Sequence, residues 1–251
     1  MNSEIISAKN YISTMSHELR APINVIASSC QVASMYIDDK VKIEKCLDRI
    51  NVASQHLTAL VDNILSMAEI SHEKLKPRAG SFSLESLISH LFAMAEPLAE
   101  ERSIDFSTNA VNIMHGEIIG DYRGIMQILI NLVSNAIKYT APGGWVRLEI
   151  TEIEPQTKTK AENSERSSIT AYKFICSDNG IGMSKEFLDK IFEPFVRADN
   201  VMTGDVKGTG LGMSIVKNLV DMMGGKIKIN SREDVGTTVT VDLEMVVKST
   251  P

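Results

Sequence analysis

A heptad repeat of apolar residues over the first 71 positions constrains the fold of this chain more than any other feature. Ile5, Ile12, Leu19, Ile26 and Ala33 recur every seven residues, which places them on one face of a helix. The same spacing returns after a short interruption, so a second helix of the same kind is predicted. Its apolar positions are Ile43, Ile50, Leu57 and Ile64, alternating with Cys46, Ala53, Leu60 and Met67.

The two heptad segments predict an antiparallel helical hairpin within a first domain at 1–75. We expect helices over 3–33 and 41–71, joined by a turn at 36–40. Leu47, Val61 and Ala68 add apolar positions beside the heptad positions of the second helix, so its apolar stripe is wider than the heptad repeat alone would make it. A stripe of this width needs more than one partner helix, so we expect a homodimer whose hairpins form a four-helix bundle. The alternative is a monomeric hairpin packed against the second domain.

A histidine stands on the polar side of the first predicted helix. Counting from Ile12 as a core position, His17 lies opposite the core and is followed by Glu18. An imidazole in that position is free to react, and the carboxylate beside it can orient or deprotonate the ring. A surface His-Glu pair by itself is more often merely solvated. The reactive interpretation therefore depends on what the rest of the chain supplies.

Composition limits the function classes. The 251 residues are 43% hydrophobic, as expected of a globular protein with a substantial core. A net charge of −6 without a basic cluster argues against nucleic acid as a partner. Membrane contact by this segment is not expected, because no continuous apolar run reaches about 18 residues. Cys30, Cys46 and Cys176 are scattered without CxxC spacing, which favours reduced thiols in a cytoplasmic protein.

The heptad pattern breaks at 72–81, where Pro77 and Gly80 indicate a linker, drawn at 76–81. A mixed α/β domain is predicted over 82–248, with a flexible, polar hairpin loop at 155–168. Because its strands alternate with helices gathered on one face, we expect an α/β sandwich. Helices are predicted over 84–101, 122–139 and 212–223, and strands over 104–108, 117–119, 145–153, 169–176, 226–230 and 237–243.

Two polar clusters in this domain indicate a nucleotide site. Asn131, Asn135 and Lys138 are spaced to share one face of a helix, where amide oxygens can ligate Mg²⁺ and the ammonium can meet phosphate. Asp178 follows an apolar strand and precedes Gly180, so its carboxylate can accept a hydrogen bond from the amine of adenine. The plainer alternatives are surface asparagines and a common Asp-Asn-Gly turn.

Two glycine-containing clusters follow. Gly208, Gly210 and Gly212 open a helix, and backbone N–H groups at such a terminus bind phosphate. The segment is not a Walker A loop, because no Gly-Lys-Ser/Thr follows. It is not a dinucleotide fingerprint either, since Met213 occupies the place of the third glycine. Gly236-Thr237-Thr238, between the last two predicted strands, is a weak signal by itself.

The order of these clusters after the histidine helix resembles the catalytic core of two-component sensor histidine kinases. The segment 16–22 (SHELRAP) is similar to the family's phosphoacceptor box, and 131–139 is similar to its asparagine box. The segments 178–182 and 208–212 are similar to its two main glycine boxes. The segment 192–197 (FEPFVR) is similar to its phenylalanine motif and following arginine. The resemblance covers about residues 3–246.

The resemblance implies a Bergerat-type ATP-binding domain and a division of roles among the matched residues. His17 would be phosphorylated through its Nε2 with Glu18 as base, Asn131 and Asn135 would hold Mg²⁺, and the family passes the phosphoryl group to a response-regulator receiver aspartate. The segment 197–207 would cover the nucleotide. The residues expected to contact ATP or its phosphates are Asn131, Asn135, Lys138, Tyr139, Asp178, Gly180, Gly182, Arg197, Gly208, Gly210, Leu211, Gly212 and Thr237.

The sequence departs from the family at one informative position. Many members carry Thr or Asn four residues after the histidine, whereas this chain has Ala21. We therefore expect little of the phosphatase activity that such residues support. Two rival functions stay open at this point, namely another ATPase of the same sandwich fold and a non-catalytic dimer scaffold. The sequence shows no sensor domain, so we expect a fragment of a longer protein, either cytoplasmic or the cytoplasmic part of a membrane-anchored sensor.

Overall fold

The chain forms two compact units in a computed structural model, which describes residues 2–71, 80–153, 167–196 and 210–248. Met1–Ser71 form one unit and His72–Pro251 the other. The first is a helical hairpin and the second an α/β sandwich, so the predicted fold class is confirmed. Among the described helices, none combines the length and the apolar character that crossing a membrane requires.

The hairpin consists of α1 (Asn2–Met35) and α2 (Lys40–Ser71), joined by a turn over 36–39. Asp39 caps α2 by accepting the backbone N–H of Lys42 at 3.2 Å. The heptad positions lie where the sequence predicts, since Cys46 and Ala53 are buried between the helices. Other predicted core residues with described side chains are only half-buried, namely Leu19, Ile26, Ala33, Ile43, Ile50 and Leu57.

Large apolar side chains remain on the outside of this hairpin. Leu47 is 57% exposed and Val61 is 41% exposed, and both belong to the stripe that the sequence predicts to be too wide for one partner. Ile23, Val25 and Val52 are exposed as well, at 49%, 43% and 51%. One α1–α2 contact therefore covers only part of the apolar surface of the two helices.

The second unit is built on a mixed sheet. Within the described residues its strand order is β1-β3-β7-β5-β4-β2, with β6 paired to β7. Among the pairs that these described strands form, β2–β4 is parallel and the others are antiparallel. The strands are β1 (Gly80–Ser83), β2 (Asp105–Val111), β3 (Glu117–Gly120), β4 (Trp145–Ile153), β5 (Ser167–Asp178), β6 (Lys226–Arg232) and β7 (Gly236–Lys248).

Helices cover one face of this sheet. They are α3 (Leu84–Glu101), α4 (Tyr122–Tyr139), the single-turn α5 (Lys185–Leu188) and α6 (Gly212–Met222). The burial pattern of β4 shows which face is covered, because Val146 and Leu148 are buried whereas Arg147 and Glu149 are exposed. The core lies between this inner face and α3, α4 and α6.

The structure corrects several predicted boundaries. Gly80 and Ser81, predicted to end the linker over 76–81, belong to β1 and pair with Gly120 and Ile119 of β3. The polar segment GSFS gives no apolar run, so periodicity could not reveal this edge strand. Strand β5 starts at Ser167, inside the loop predicted over 155–168. The remainder of that loop up to 166, and residues 76–79 of the linker, lie outside the described residues.

A buried carboxylate fastens the loop between β2 and β3 to the sheet. Glu152 accepts the backbone N–H groups of Met114 and His115 at 2.7 and 2.8 Å, and it also contacts the His115 ring and the Thr170 hydroxyl. Burial opposes ionisation, but the hydrogen bonds from His115 and Met114 outweigh it, so the pKa of Glu152 lies below its ordinary value. The Tyr172 hydroxyl holds the same loop by donating to the His115 carbonyl.

Candidate active site

Helix α4 carries the asparagines on the side that is not packed into the core. The helix starts at an Asp121 N-cap, whose carboxylate accepts the Gly124 N–H at 3.1 Å. Ile128, Leu132 and Ala136 are buried against the sheet. The predicted site residues of this helix are instead half-buried, and they are Asn131, Asn135, Lys138 and Tyr139.

The two asparagines face the start of α6. A Cβ atom added to Gly212 would lie 3.7 Å from Asn131 Oδ1 and 3.5 Å from Asn135 Nδ2. The Asn131 Nδ2 atom is buried and has no hydrogen-bond partner among the described residues. Since buried polar groups are normally paired, this amide has hydrogen-bonding capacity left for a ligand at the α6 N-terminus.

Asp178 is the last residue of β5, and its carboxylate is oriented by the backbone. Its Oδ1 atom accepts N–H groups from Gly180 at 2.9 Å and from Thr237 at 3.2 Å. Burial raises the pKa of Asp178 above its ordinary value, while these two hydrogen bonds act in the opposite direction. Because both donors use Oδ1, the carboxylate can offer Oδ2 to a hydrogen-bond donor of a ligand.

Glycines allow the loop after Asp178 to lie close to two other backbone segments. A Cβ at Gly180 would strike the Tyr139 carbonyl at the end of α4, and one at Gly182 would strike the Arg232 carbonyl. Gly182 also has a φ of +64°, which side-chain-bearing residues rarely adopt. The Ile181 N–H donates to the Tyr139 carbonyl at 3.1 Å, which fixes the loop beside the asparagine helix.

The start of α6 is anchored in a comparable way. Leu211 is fully buried, and its carbonyl accepts the Ser214 hydroxyl at 2.8 Å. Gly210 has a φ of +68°, and its carbonyl accepts the Phe195 N–H at 3.0 Å. A side chain on Gly210 would lie 2.7 Å from the Phe195 carbonyl carbon. Glycine is therefore required where these two backbones meet, directly before the helix terminus that faces the asparagines.

Sequence reasoning missed one polar residue of this site. Strand register places Asp178 opposite Thr237 and Thr237 opposite Ser231, so the three residues form a row across β5, β7 and β6. The Ser231 and Thr237 hydroxyl oxygens are 2.8 Å apart. The sequence does contain a signal for it. Ile227, Ile229 and Ser231 are spaced two residues apart in a strand, so the serine lies on the same inner face as the two isoleucines.

The structure brings most of the predicted site residues into one unit. Hydrogen bonds join the end of α4 to the loop after Asp178, and Asp178 to Thr237, and both asparagines lie beside Gly212. Arg197 and Gly208 lie outside the described residues. His17 and Glu18 lie in α1, but their side chains are outside the described part of the structure.

The matches to protein families follow the two units. Residues 120–247 match the model of the histidine kinase-, DNA gyrase B- and HSP90-like ATPases. Residues 7–73 match the His Kinase A (phospho-acceptor) domain. The first match contains the asparagine helix, both glycine segments and Thr237, and the second contains His17.

Known proteins are similar over nearly the whole chain. The autoinducer 2 sensor kinase/phosphatase LuxQ of Vibrio parahaemolyticus is 35% identical over 93% of this chain and 26% of that protein. The LuxQ proteins are longer than this chain, which spans about a quarter of their length.

Solved structures show the same fold. Histidine kinase ThkA in complex with response regulator protein TrrA matches with a TM-score of 0.69 and 24% identity, over 97% of this chain and 63% of that one. Full-length ShkA in complex with AMPPNP matches with a TM-score of 0.66 and 23% identity, over 96% of this chain and 47% of that one. The chain therefore belongs to the family of histidine kinase-, DNA gyrase B- and HSP90-like ATPases and, with its phosphoacceptor domain, is a sensor histidine kinase core.

Proposed function

We propose that this chain uses ATP to phosphorylate His17 and passes the phosphoryl group to an aspartate on a response-regulator receiver domain. The observation that carries the proposal is the environment of Asp178, whose Oδ1 holds two backbone N–H groups while its second oxygen is left for a ligand donor. The phosphoacceptor match over residues 7–73, which includes His17, supplies the acceptor.

The two ends of the site suit the two ends of ATP. An ionised Asp178 accepts a hydrogen bond from the exocyclic amine of adenine and repels guanine, which has an oxygen in that position. At the other end, the N-terminal N–H groups of α6 suit phosphate. Lys138 adds positive charge to that end, and we propose Arg197 as a second cation. The Lys138 ammonium lies 4.8 Å from the centre of the Tyr139 ring.

The asparagine pair fits a magnesium ion that accompanies the triphosphate. Mg²⁺ takes oxygen ligands and keeps several waters, and neutral amides suffice where phosphates bring the negative charge. The Asn131 Oδ1 atom lies on the side of the helix that faces Gly212, and the buried Nδ2 of the same amide, which has no partner among the described residues, can donate to a phosphate oxygen or a metal-bound water. Asn131 and Asn135 would hold the ion, which would neutralise charge on the phosphates.

The acceptor chemistry belongs to His17 and Glu18. The neutral imidazole attacks the γ-phosphorus with the lone pair of Nε2, a P–N bond forms, and the P–O bond to ADP breaks. The proton on the other ring nitrogen is held by Glu18, which balances the positive charge that develops on the ring. Phosphoryl transfer requires mainly positioning and charge stabilisation, which fits an acceptor helix and a separate nucleotide domain.

Two partners complete the proposal. We infer a homodimer, because Leu47, Val52 and Val61 expose large apolar side chains on a hairpin that matches a phosphoacceptor domain. We infer a receiver domain because the structural neighbour ThkA was solved with a response regulator. Location in the cytoplasm, either as a cytoplasmic protein or as part of a membrane-anchored sensor, stays a prediction.

Incubation with γ-labelled ATP and Mg²⁺, followed by mapping of the label, tests the activity. We expect acid-labile, base-stable label on His17 in the wild-type chain and none in His17→Gln. Hydrolysis of ATP without label on His17 would indicate an ATPase of the same fold instead. Failure to bind an ATP analogue would indicate a non-catalytic scaffold.

A further inference from the structure

One dipeptide beside the proposed nucleotide site is chemically labile. Of the asparagines in this chain, only Asn179 is followed by glycine, and it comes directly after Asp178. Asparagine before glycine is prone to deamidation, because glycine has no side chain to hinder attack of its backbone nitrogen on the neighbouring amide. The Asn179 side chain is exposed, so water is available to complete the reaction.

The reaction is an intramolecular substitution followed by hydrolysis. The Gly180 nitrogen loses its proton and attacks Cγ of Asn179, so that a C–N bond forms while the bond from Cγ to Nδ2 breaks. The leaving NH₂ group takes up one proton and departs as ammonia. Water then opens the cyclic imide at one of its two carbonyl groups. The products are an ordinary aspartate and an isoaspartate, which carries an additional methylene group in the main chain.

The structure restrains the attacking nitrogen. The Gly180 N–H donates to Asp178 Oδ1 at 2.9 Å, and the Thr237 N–H donates to the same oxygen at 3.2 Å. The first hydrogen bond keeps the proton on the Gly180 nitrogen. The charge of an ionised carboxylate also opposes the formation of a second negative charge beside it. Attack on Asn179 therefore requires this hydrogen bond to open.

The amide that would be attacked is restrained as well. Asn179 Oδ1 accepts the Trp145 backbone N–H at 2.7 Å, and the Asn179 N–H donates to the Trp145 carbonyl at 3.3 Å. A Cβ atom at Gly144 would lie 2.7 Å from the same Oδ1, so the side chain lies against the backbone at the start of β4. An amide fixed in this way is less free to turn toward the Gly180 nitrogen.

An isoaspartate at this position does not fit the observed loop. A Cβ atom at Gly180 would lie close to the Tyr139 carbonyl oxygen, which also accepts the Ile181 N–H, so the backbone has little room for another methylene group. The longer main chain also moves the Gly180 N–H away from Asp178, and the carboxylate loses one of the two donors that orient it. An ordinary aspartate keeps the chain length and still offers an oxygen to the Trp145 N–H.

We propose that Asn179 is a deamidation site whose reaction is slowed by the hydrogen bond from Gly180 to Asp178, and whose isoaspartyl product disables nucleotide binding. Asp178 then has a second role, because the carboxylate that faces the ligand also protects the adjoining peptide. The part of the inference that concerns nucleotide binding rests on the proposed binding of ATP. The protective part does not depend on it.

Peptide mapping by mass spectrometry, during incubation of the full chain at neutral pH, tests the protective part. We expect folded wild type to deamidate at Asn179 at least about 10-fold more slowly than the same chain unfolded in guanidinium chloride, the value of one hydrogen bond to a charged group. Asp178→Ala should deamidate about 10-fold faster than wild type. Asp178→Asn, whose amide oxygen accepts without a charge, should lie between them. Ser177→Ala, the matched control on the opposite face of β5, should keep the wild-type rate.

The non-hydrolysable analogue AMPPNP tests the connection to the nucleotide site. At about ten times its Kd it should slow the reaction about 11-fold, because the opening that permits attack excludes the nucleotide. The isoaspartyl form, identified with an isoaspartyl methyltransferase, should bind AMPPNP at least about 10-fold more weakly than wild type. Asn179→Asp, which has the sequence of the other product, should bind it within about twofold of wild type.

Several results would overturn the inference. Equal rates in folded and unfolded wild type, or in wild type and Asp178→Ala, would exclude the protective role, and so would an unchanged rate with AMPPNP bound. Full AMPPNP affinity of the isoaspartyl form would exclude the loss of binding. Circular dichroism checks that each variant is folded, and Asp178→Asn decides if the alanine variant unfolds. A wild-type chain that binds no AMPPNP would instead refute the proposed function, while the rate comparisons would still decide the protective role.

Discussion

The helical hairpin and the ATP-binding unit differ in how completely each buries its own apolar surface. In the ATP-binding unit, Leu87, Ile128 and Phe174 are fully buried in one continuous core. In the hairpin, the buried apolar residues among the described side chains are small, namely Pro22, Cys46 and Ala53, while Leu47 stays 57% exposed. The ATP-binding unit (His72–Pro251) buries its described core within one chain, whereas the helical hairpin (Met1–Ser71) leaves apolar surface that a further partner can cover.

This difference agrees with the division of chemistry between the units. A nucleotide site requires groups held to within fractions of an ångström, and Asp178 is held by two backbone N–H groups inside a packed sheet. In the proposed function His17 meets a nucleotide donor and later a receiver domain, so its helix has to be accessible. A hairpin that leaves large apolar side chains such as Leu47 exposed offers a surface for partners.

The largest expected effect comes from replacing His17, the proposed phosphoacceptor, which lies in a different unit from the proposed nucleotide site. His17→Gln should abolish self-phosphorylation, since the amide has no nucleophilic nitrogen lone pair. It should leave the Kd for ATP within about twofold, because the nucleotide motifs lie in the other unit. Label counting and calorimetry measure the two quantities, and label of wild-type intensity on the variant would exclude His17 as the acceptor.

The next largest effect is expected on dimer dissociation, when a charge is placed on the exposed apolar surface of the hairpin. Leu47→Glu places a charge where we infer a dimer contact, and the dimer contains two copies of it. At about 1.5 kcal/mol per copy, dissociation should become easier by about 100-fold. Met94→Glu is the matched control, because Met94 is 51% exposed on α3 of the other unit. Light scattering that shows a wild-type monomer at micromolar concentration, with folded helices, would contradict the dimer.

Elements in which apolar residues recur at a regular spacing over many positions could be predicted from the sequence. Helix α4 spans Tyr122–Tyr139 and strand β4 spans Trp145–Ile153, both as predicted. Their residues face one apolar core, so the periodicity reports the burial directly. Strand β1 could not be predicted, because it is a short edge strand whose pairing with β3 depends on residues far along the chain.

Site residues that belong to a short local motif could be predicted from the sequence as well. Asp178 and Gly180 are two residues apart and belong to a recognisable motif, and the structure joins them by a hydrogen bond. Ser231 is a single serine in an alternating strand, and only the register of β6 on β7 places it beside Thr237. Glu152 contacts His115, 37 positions away, so no local pattern identifies it as a buried carboxylate.

Asp178→Asn should weaken ATP binding by about 10- to 100-fold, because a hydrogen bond to a charged group contributes about 1.5–3 kcal/mol. The unliganded protein should not lose thermal stability. Burial raises the folded-state pKa of Asp178, so ionisation of this carboxyl lowers stability as pH rises through that pKa, and the amide removes this cost. Calorimetry and thermal melts from pH 4 to 8 test both parts. Unchanged ATP affinity would remove Asp178 from the site.

Glu152→Gln should destabilise the ATP-binding unit by about 2 kcal/mol, because a buried anion with several donors is replaced by a neutral amide. The folded-state pKa of Glu152 is lowered, so its contribution exists above the unfolded-state pKa and is lost as pH falls through the folded one. The stability difference between wild type and variant should therefore shrink in acid. Glu149→Gln, on the exposed face of the same strand, is the control, and an equal effect there would contradict the prediction.

The smallest expected effect concerns the helix turn after the acceptor. Ala21 is exposed on α1 and lies four residues after His17, so it shares that helix face. A hydroxyl or amide there can hold a water that attacks the acyl phosphate of a receiver, whereas a methyl group cannot. We therefore expect strong kinase and weak phosphatase activity, although the relative LuxQ is by name a kinase/phosphatase.

Ala21→Thr should accelerate dephosphorylation of a phosphorylated receiver several-fold, a change of about 1 kcal/mol, the value of one hydrogen bond. Label on His17 should stay close to the wild-type amount, since an exposed helix position tolerates either residue. Ala21→Val is the control, because it has the shape of threonine without the hydroxyl and should leave dephosphorylation unchanged. If the wild type already matches the threonine variant, or if valine acts as threonine does, position 21 does not set the balance between the two activities.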